Sequence, residues 1–167
     1  MSYHISFVRP KPGRTLLQTL VAANAKRKAK SGPERTRLTP EQRAAWDRIV
    51  ERVTRELGPA SCEDFGSDLS LRREAPQGAA QLVYSGTKAS IGIPYRYPGD
   101  LALPAITQAY HIATIVEQET GLAGYDLHVN QPIAGGDLGL AATKLGEMTL
   151  LAREILARRG LAAEDVW

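Results

Sequence analysis

The sequence predicts a single α+β domain over residues 1–167, in which an antiparallel sheet of about four strands carries helices packed on one face. Three observations point there. Alternating stretches between residues 68 and 97 are joined by links short enough to make hairpins. The stretches around them carry apolar residues at helical spacing. A length of 167 residues, 43% hydrophobic and 23% charged, suits one domain with its own core.

The elements follow in order. "SYHISFVR" sets Tyr3, Ile5 and Phe7 on one face of a strand, which Pro10 and Pro12-Gly13 end. "RTLLQTLVAANAK" repeats Leu16, Leu17, Leu20 and Val21 at helical spacing and leads into a basic stretch. Thr39-Pro40-Glu41-Gln42 is a capping box with proline at the first helical position. The stripe Ala45, Trp46, Ile49, Val50, Val53 and Leu57 continues that helix to a stop at Gly58-Pro59. Its outer face, Arg43 through Glu56, reads as a solvated surface of mixed sign.

"SDLSLRRE", "AQLVYS" and "TKASIGIPYRY" then form three successive strands, and "SCEDFGS" before them is a short extra strand or a loop. In the third strand Ile91, Ile93, Tyr95 and Tyr97 share a face that should be core. Arg96 points to the opposite, open face with Ser90 and Gly92. Pro94 removes a ladder donor, which makes this strand an edge or ends its pairing there. Ile106, Ala109, Tyr110, Ala113 and Val116 mark the next helix, ended by Gly121. After the extended piece "GYDLHVNQPI", Leu138, Ala142, Leu145, Met148, Ala152 and Ile155 line the last helix, capped by Asp137 and stopped at Gly160.

Catalytic and cofactor signatures are hard to find. His4, His111 and His128 have no metal-ligand spacing, and Cys62 is the only cysteine, so neither an intramolecular disulfide nor a multi-thiolate zinc site is possible. There is no Gly-x-Ser-x-Gly elbow and no Walker lysine, and the glycines of "IAGGDLGLAATK" fit neither a phosphate loop nor a dinucleotide fingerprint. No cofactor and no metal are therefore expected. The one acidic cluster, Glu63, Asp64 and Asp68, is the place a small hydrolase would put its acid and base. No apolar run approaches the roughly 20 residues of a membrane span, and "MSYHISFVRPKPGR" lacks the pattern of a cleaved signal. The expectation is a cytoplasmic protein with no membrane partner.

The net charge of +3 conceals an asymmetry. Residues 1–40 hold nine basic residues against Glu34 alone, a net of +8, so the remainder carries −5. The excess gathers in "NAKRKAKSGPERTRLTP", which reads as a basic, flexible loop at 26–38. Lys26, Arg27, Lys28 and Lys30 are candidate contacts for an acidic partner, and a nucleic-acid-binding module is the alternative use of the 26–37 segment.

The segments "AAWDRIV", "IPYRYPG" and "VEQETGLAGYD", with the "MSY" opening, resemble a group of short, uncharacterised bacterial proteins with the same order of elements. That group is similar in size and plan to the toxin-neutralising immunity proteins of the bacterial cytosol. The resemblance brings no catalytic residue, and the basic insertion near 26–37 departs from it. What it implies is a non-enzymatic, immunity-like or accessory factor that docks onto another protein. The open sheet face of the third strand is where such a partner would dock, so Arg96 and Tyr97 join the basic residues as partner contacts.

Overall fold

The computed structural model describes residues 2–29 and 37–161, excluding the side chains of 26–29. The chain runs β1 (Ser2–Val8), α1 (Leu16–Ala29), α2 (Pro40–Leu57), β2 (Ser61–Asp64), β3 (Leu69–Ala75), β4 (Gly78–Tyr84) and β5 (Lys88–Pro94). A short 3₁₀ turn (Gly99–Leu101) leads into α3 (Ala102–Thr120), β6 (Ala123–Asp126), β7 (Gln131–Pro132) and α4 (Leu138–Arg158).

The α+β class and the antiparallel sheet are as expected, but the sheet has seven strands, in the order β2-β3-β4-β5-β1-β6-β7. The added strands are short. β2 is a fully exposed edge strand, and β6–β7 fold back on the free side of β1, where Ile5 faces Asp126 and Ser6 faces Tyr125. A central β1 has two sides of backbone donors and acceptors to satisfy, and β5 fills only one. β5 is accordingly an interior strand between β4 and β1, with Pro94 as its last residue.

One face of the sheet holds the main core. Tyr3, Ile5, Phe7, Leu69, Leu71, Leu82, Ile91 and Ile93 meet Ile106, Ile112 and Ala113 of α3, with Ile49 and Val53 of α2 on one flank and Leu145 of α4 on the other. The Trp46 and Tyr84 rings stack 6.0 Å apart, tying α2 to β4. Tyr95 is 5% exposed and Tyr97 packs against the same core, so the tyrosine face is turned inward.

The expectation that all helices share one face is corrected by α1. Strand alternation puts Val8 and Tyr125 on the face opposite Tyr3, Ile5 and Phe7, and there Leu20 of α1 covers them in a separate small cluster. Two apolar residues on that face need shelter, and a helix with a narrow apolar stripe is enough to supply it. Val21, read as part of that stripe, is 60% exposed, and Thr19 takes a buried place instead.

α1 also continues to Ala29. The loop expected at 26–38 therefore starts inside a helix, because "AKRKA" is made of good helix formers. Residues 30–36, Lys30 among them, lie outside the described residues. Among the described residues no helix is long and apolar enough to cross a membrane.

Candidate functional site

Among the described residues, α1 covers the second face of the sheet near β1 and β6. No other described element lies over β3, β4 and β5 on that side, and the register sets out what it presents. Arg72 faces Gln81, which faces Gly92, which faces His4; Val83 faces Ser90, which faces Ser6. The result is a polar trough of about 290 Å³ whose rim carries Arg72, Glu74 and Arg96.

Sequence alternation placed Arg96 on this open side, and it is there. Its Nη2 lies 3.5 Å from Glu74 Oε1, which Arg72 also engages at 2.5 Å. The Arg72 hydrogen bond, with the charges of both arginines, holds the Glu74 carboxyl below its ordinary range. Arg96 Nε is buried without a hydrogen-bond partner, while its Nη2 reaches Glu74 at the rim. Tyr97 faces the other way. It is half-buried, and its hydroxyl accepts the amide N–H of Ala79, so it supports the start of β4 instead of offering a surface.

The floor of the trough holds His4, hydrogen-bonded to Ser2 Oγ at 2.8 Å. Burial lowers the pKa of the His4 ring. A serine beside a neutral histidine invites comparison with a nucleophile and its base. Among the described residues, however, no carboxylate bonds the His4 ring, so the third, orienting group of a catalytic triad is missing.

Close by lies a network that sequence reasoning passed over. Asp126 is fully buried and accepts from Tyr3 Oη at 2.5 Å, Tyr110 Oη at 2.7 Å and the His128 amide at 3.0 Å. Burial first, and then the hydrogen bonds to Asp126, push both tyrosine hydroxyls well above their ordinary pKa, Tyr110 against an opposing bond from Gln131. The His128 ring stacks on Tyr3 with centroids 4.2 Å apart, and its Nε2 accepts the His4 amide N–H at 3.2 Å. That bond requires an unprotonated Nε2, in keeping with the fall in pKa that burial imposes on His128. The ring completes the β1 ladder where β6 has ended. The "YD" of the quoted "ETGLAGYD" was the visible trace of this site, but its charge satisfaction depends on Tyr3 at the other end of the chain.

The remaining candidates separate. Glu63, Asp64 and Asp68 sit around the β2–β3 turn without converging. Asp64 is paired to Arg43 at 2.8 Å and takes the Gly66 amide, which lowers its pKa, and Asp68 accepts from Ser67 Oγ. A carboxyl held ionised in that way is a poor general acid. Lys26, Arg27 and Lys28 are helical in backbone. A second basic group was not singled out by spacing: Arg9, Lys11, Arg14 and Lys88 surround a concavity of about 340 Å³ between α1 and the β4–β5 turn. None of the four has a carboxylate partner among the described residues, whereas Arg43, Arg48, Arg52, Arg55, Arg72 and Arg96 are all paired. Also among the described residues, no group of three or more His, Cys, Asp or Glu side chains is placed to hold a metal ion.

Comparison with protein-family models, with curated proteins and with solved structures returns no match.

Proposed function

We propose that this chain acts by binding another protein that presents an acidic surface, in the manner of an immunity-like or accessory factor, and that the open sheet face beside α1 is where the partner seats. The observation that carries the reading is the segregation of unpaired cations. Arg9, Lys11, Arg14 and Lys88 stand beside α1 with no carboxylate partner among the described residues, on the side of the sheet where the Arg72–Glu74–Arg96 trough lies. Like charges kept together without internal partners raise a local positive potential, and such a potential favours the approach of an acidic surface. Arg96 is suited to the centre of the contact, because it is partly covered and lines the trough beside Glu74. The nucleic-acid reading keeps the cations but loses its stacking platform, since Tyr95 and Tyr97 belong to the core. Arg43 pairs with Asp64, which holds one member of the acidic cluster ionised and counts against the hydrolase reading.

The test is site-specific photo-crosslinking in an extract of the source cells, with the crosslinker at Ser90 in the trough and, as control, at Leu150 on the outer face of α4. A protein captured from Ser90 alone is then measured on a biosensor. Neutralising Arg9, Lys11, Arg14 and Lys88 should slow association and weaken its dependence on salt, while Arg96→Ala should speed dissociation by an amount worth ~2 kcal/mol. Capture of the same protein from Leu150, or an Arg96→Ala variant with unchanged dissociation, would sink the proposal.

A further inference from the structure

Among the described residues, Arg73 is the one arginine whose side chain enters the core side of the sheet, and it is 8% exposed. Its Nη2 donates to the carbonyl of Leu57 at the end of α2, its Nε is buried without a partner, and no described carboxylate lies within ion-pair distance of it. An arginine cannot shed its proton, so this is a buried positive charge offset, among the described residues, by the C-terminal end of one helix. Charges in such places are normally matched by an opposite charge, because desolvating one alone is expensive. Glu56, which lines the space beside Arg73, is already committed: Oε1 takes Arg52 and Arg55, and Oε2 takes His111 at 2.8 Å.

The missing counter-charge has a place to sit. Arg73 lines a cavity of about 530 Å³ between α2 and α3, within the size range of small-molecule sites. Leu57, Leu103 and Pro104 give it an apolar wall, with Leu103 48% exposed at the surface. Gln108 donates its Nε2 to the Gly78 carbonyl at 3.1 Å, which leaves its oxygen as an acceptor and adds no charge.

From this placement we infer that the cavity is a binding site for a small carboxylate with an apolar body, its carboxyl group on Arg73 and its hydrocarbon against Leu103 and Pro104. The site is separate from the open sheet face and stands or falls independently of it.

The experiment is a nuclear magnetic resonance titration of the full chain with hexanoate, and with hexan-1-ol and hexylamine as neutral and cationic counterparts. Hexanoate should shift the Arg73 Nε–H signal and the Leu103 methyl signals saturably, with an affinity about tenfold or more above that of either counterpart. Leu103→Glu, at an exposed position, should weaken hexanoate by at least about tenfold without disturbing the fold. Arg73→Gln should erase the preference for the carboxylate. Equal binding of hexanoate and hexan-1-ol, an unmoved Arg73 Nε–H signal, or undiminished binding by Leu103→Glu overturns the assignment.

Discussion

At the scale of single residues, the sharpest statement concerns Asp126 and the two tyrosines that serve it. A buried carboxylate needs its donors, and Tyr3, Tyr110 and the His128 amide supply them. Tyr3→Phe should therefore cost ~1–3 kcal/mol in urea unfolding, because one buried oxygen loses a donor that water cannot replace. The same tyrosines set an alkaline limit. Their folded pKa lies above the ordinary 10.0, so their contribution is complete below pH 10 and falls as pH rises beyond it, where only the unfolded chain ionises. Pairing Tyr3→Phe with Tyr110→Phe should flatten that part of the stability profile, and an unchanged slope would refute the assignment. Tyr110 was legible as a core residue from its helical spacing, as was Arg96 as an open-face residue from strand alternation. Asp126 was not, because nothing near it in the chain announces that Tyr3 will reach it. The sequence reads Tyr97 both as part of the core face and as a partner contact; it packs against the core, and the Ala79 amide its hydroxyl accepts from lies on β4, which nothing near Tyr97 in the chain announces.

At the scale of elements, α2 was the most readable part of the chain because its signals are local. The Thr39 hydroxyl accepts from Gln42 N at 3.2 Å and the Gln42 side chain accepts from Thr39 N at 2.9 Å, as the capping box requires. Thr39→Ala should cost ~1 kcal/mol and Ile49→Ala, at a fully buried position, ~2–5 kcal/mol in thermal or denaturant unfolding. Equal costs would contradict this account of the helix. The polar side of α2 holds more than a solvated face. Arg52 bridges Glu56 and Glu119, Arg48 reaches Glu119 at 2.8 Å, and His111 of α3 meets Glu56. The His111 hydrogen bond first, and Arg52 next, bring the Glu56 carboxyl down to about 2 from 4.5. A lowered folded pKa contributes stability above pH 4.5 that is lost as pH falls towards 2, so Glu56→Gln should make the acid limb of the stability curve shallower across that window. Spacing alone could not disclose the partner helix, only the charges available to it. β2, β6 and β7 were legible only as a short strand or loop and an extended piece: strands of two to four residues are too short to show a period, and their pairing is settled by the edges they find.

At the scale of the whole molecule, the two faces of the sheet were partly readable and partly not. The apolar alternation of β1, β3, β4 and β5 announced a covered face, and Ser90, Gly92 and Arg96 announced an open one. That α1 would cross to the open side was unreadable, because the deciding residues, Val8 and Tyr125, meet only after β6 has paired with β1. The central place of β1 has a further meaning for the life of the chain before it is folded. The first strand in sequence bonds to β5 and β6, which follow it by most of the chain, whereas β2 to β5 form a meander of neighbours. Closing long loops is slow, so the meander should assemble first and wait with the edge of β5 bare. A bare edge with Ile91 and Ile93 beside it is an adhesive surface for another copy in the same condition. Refolding by dilution should then lose yield as protein concentration rises, and a β1 variant such as Ile5→Ala should worsen that loss more than a comparable cavity in α2. A refolding yield independent of concentration would show that β1 and β5 meet early.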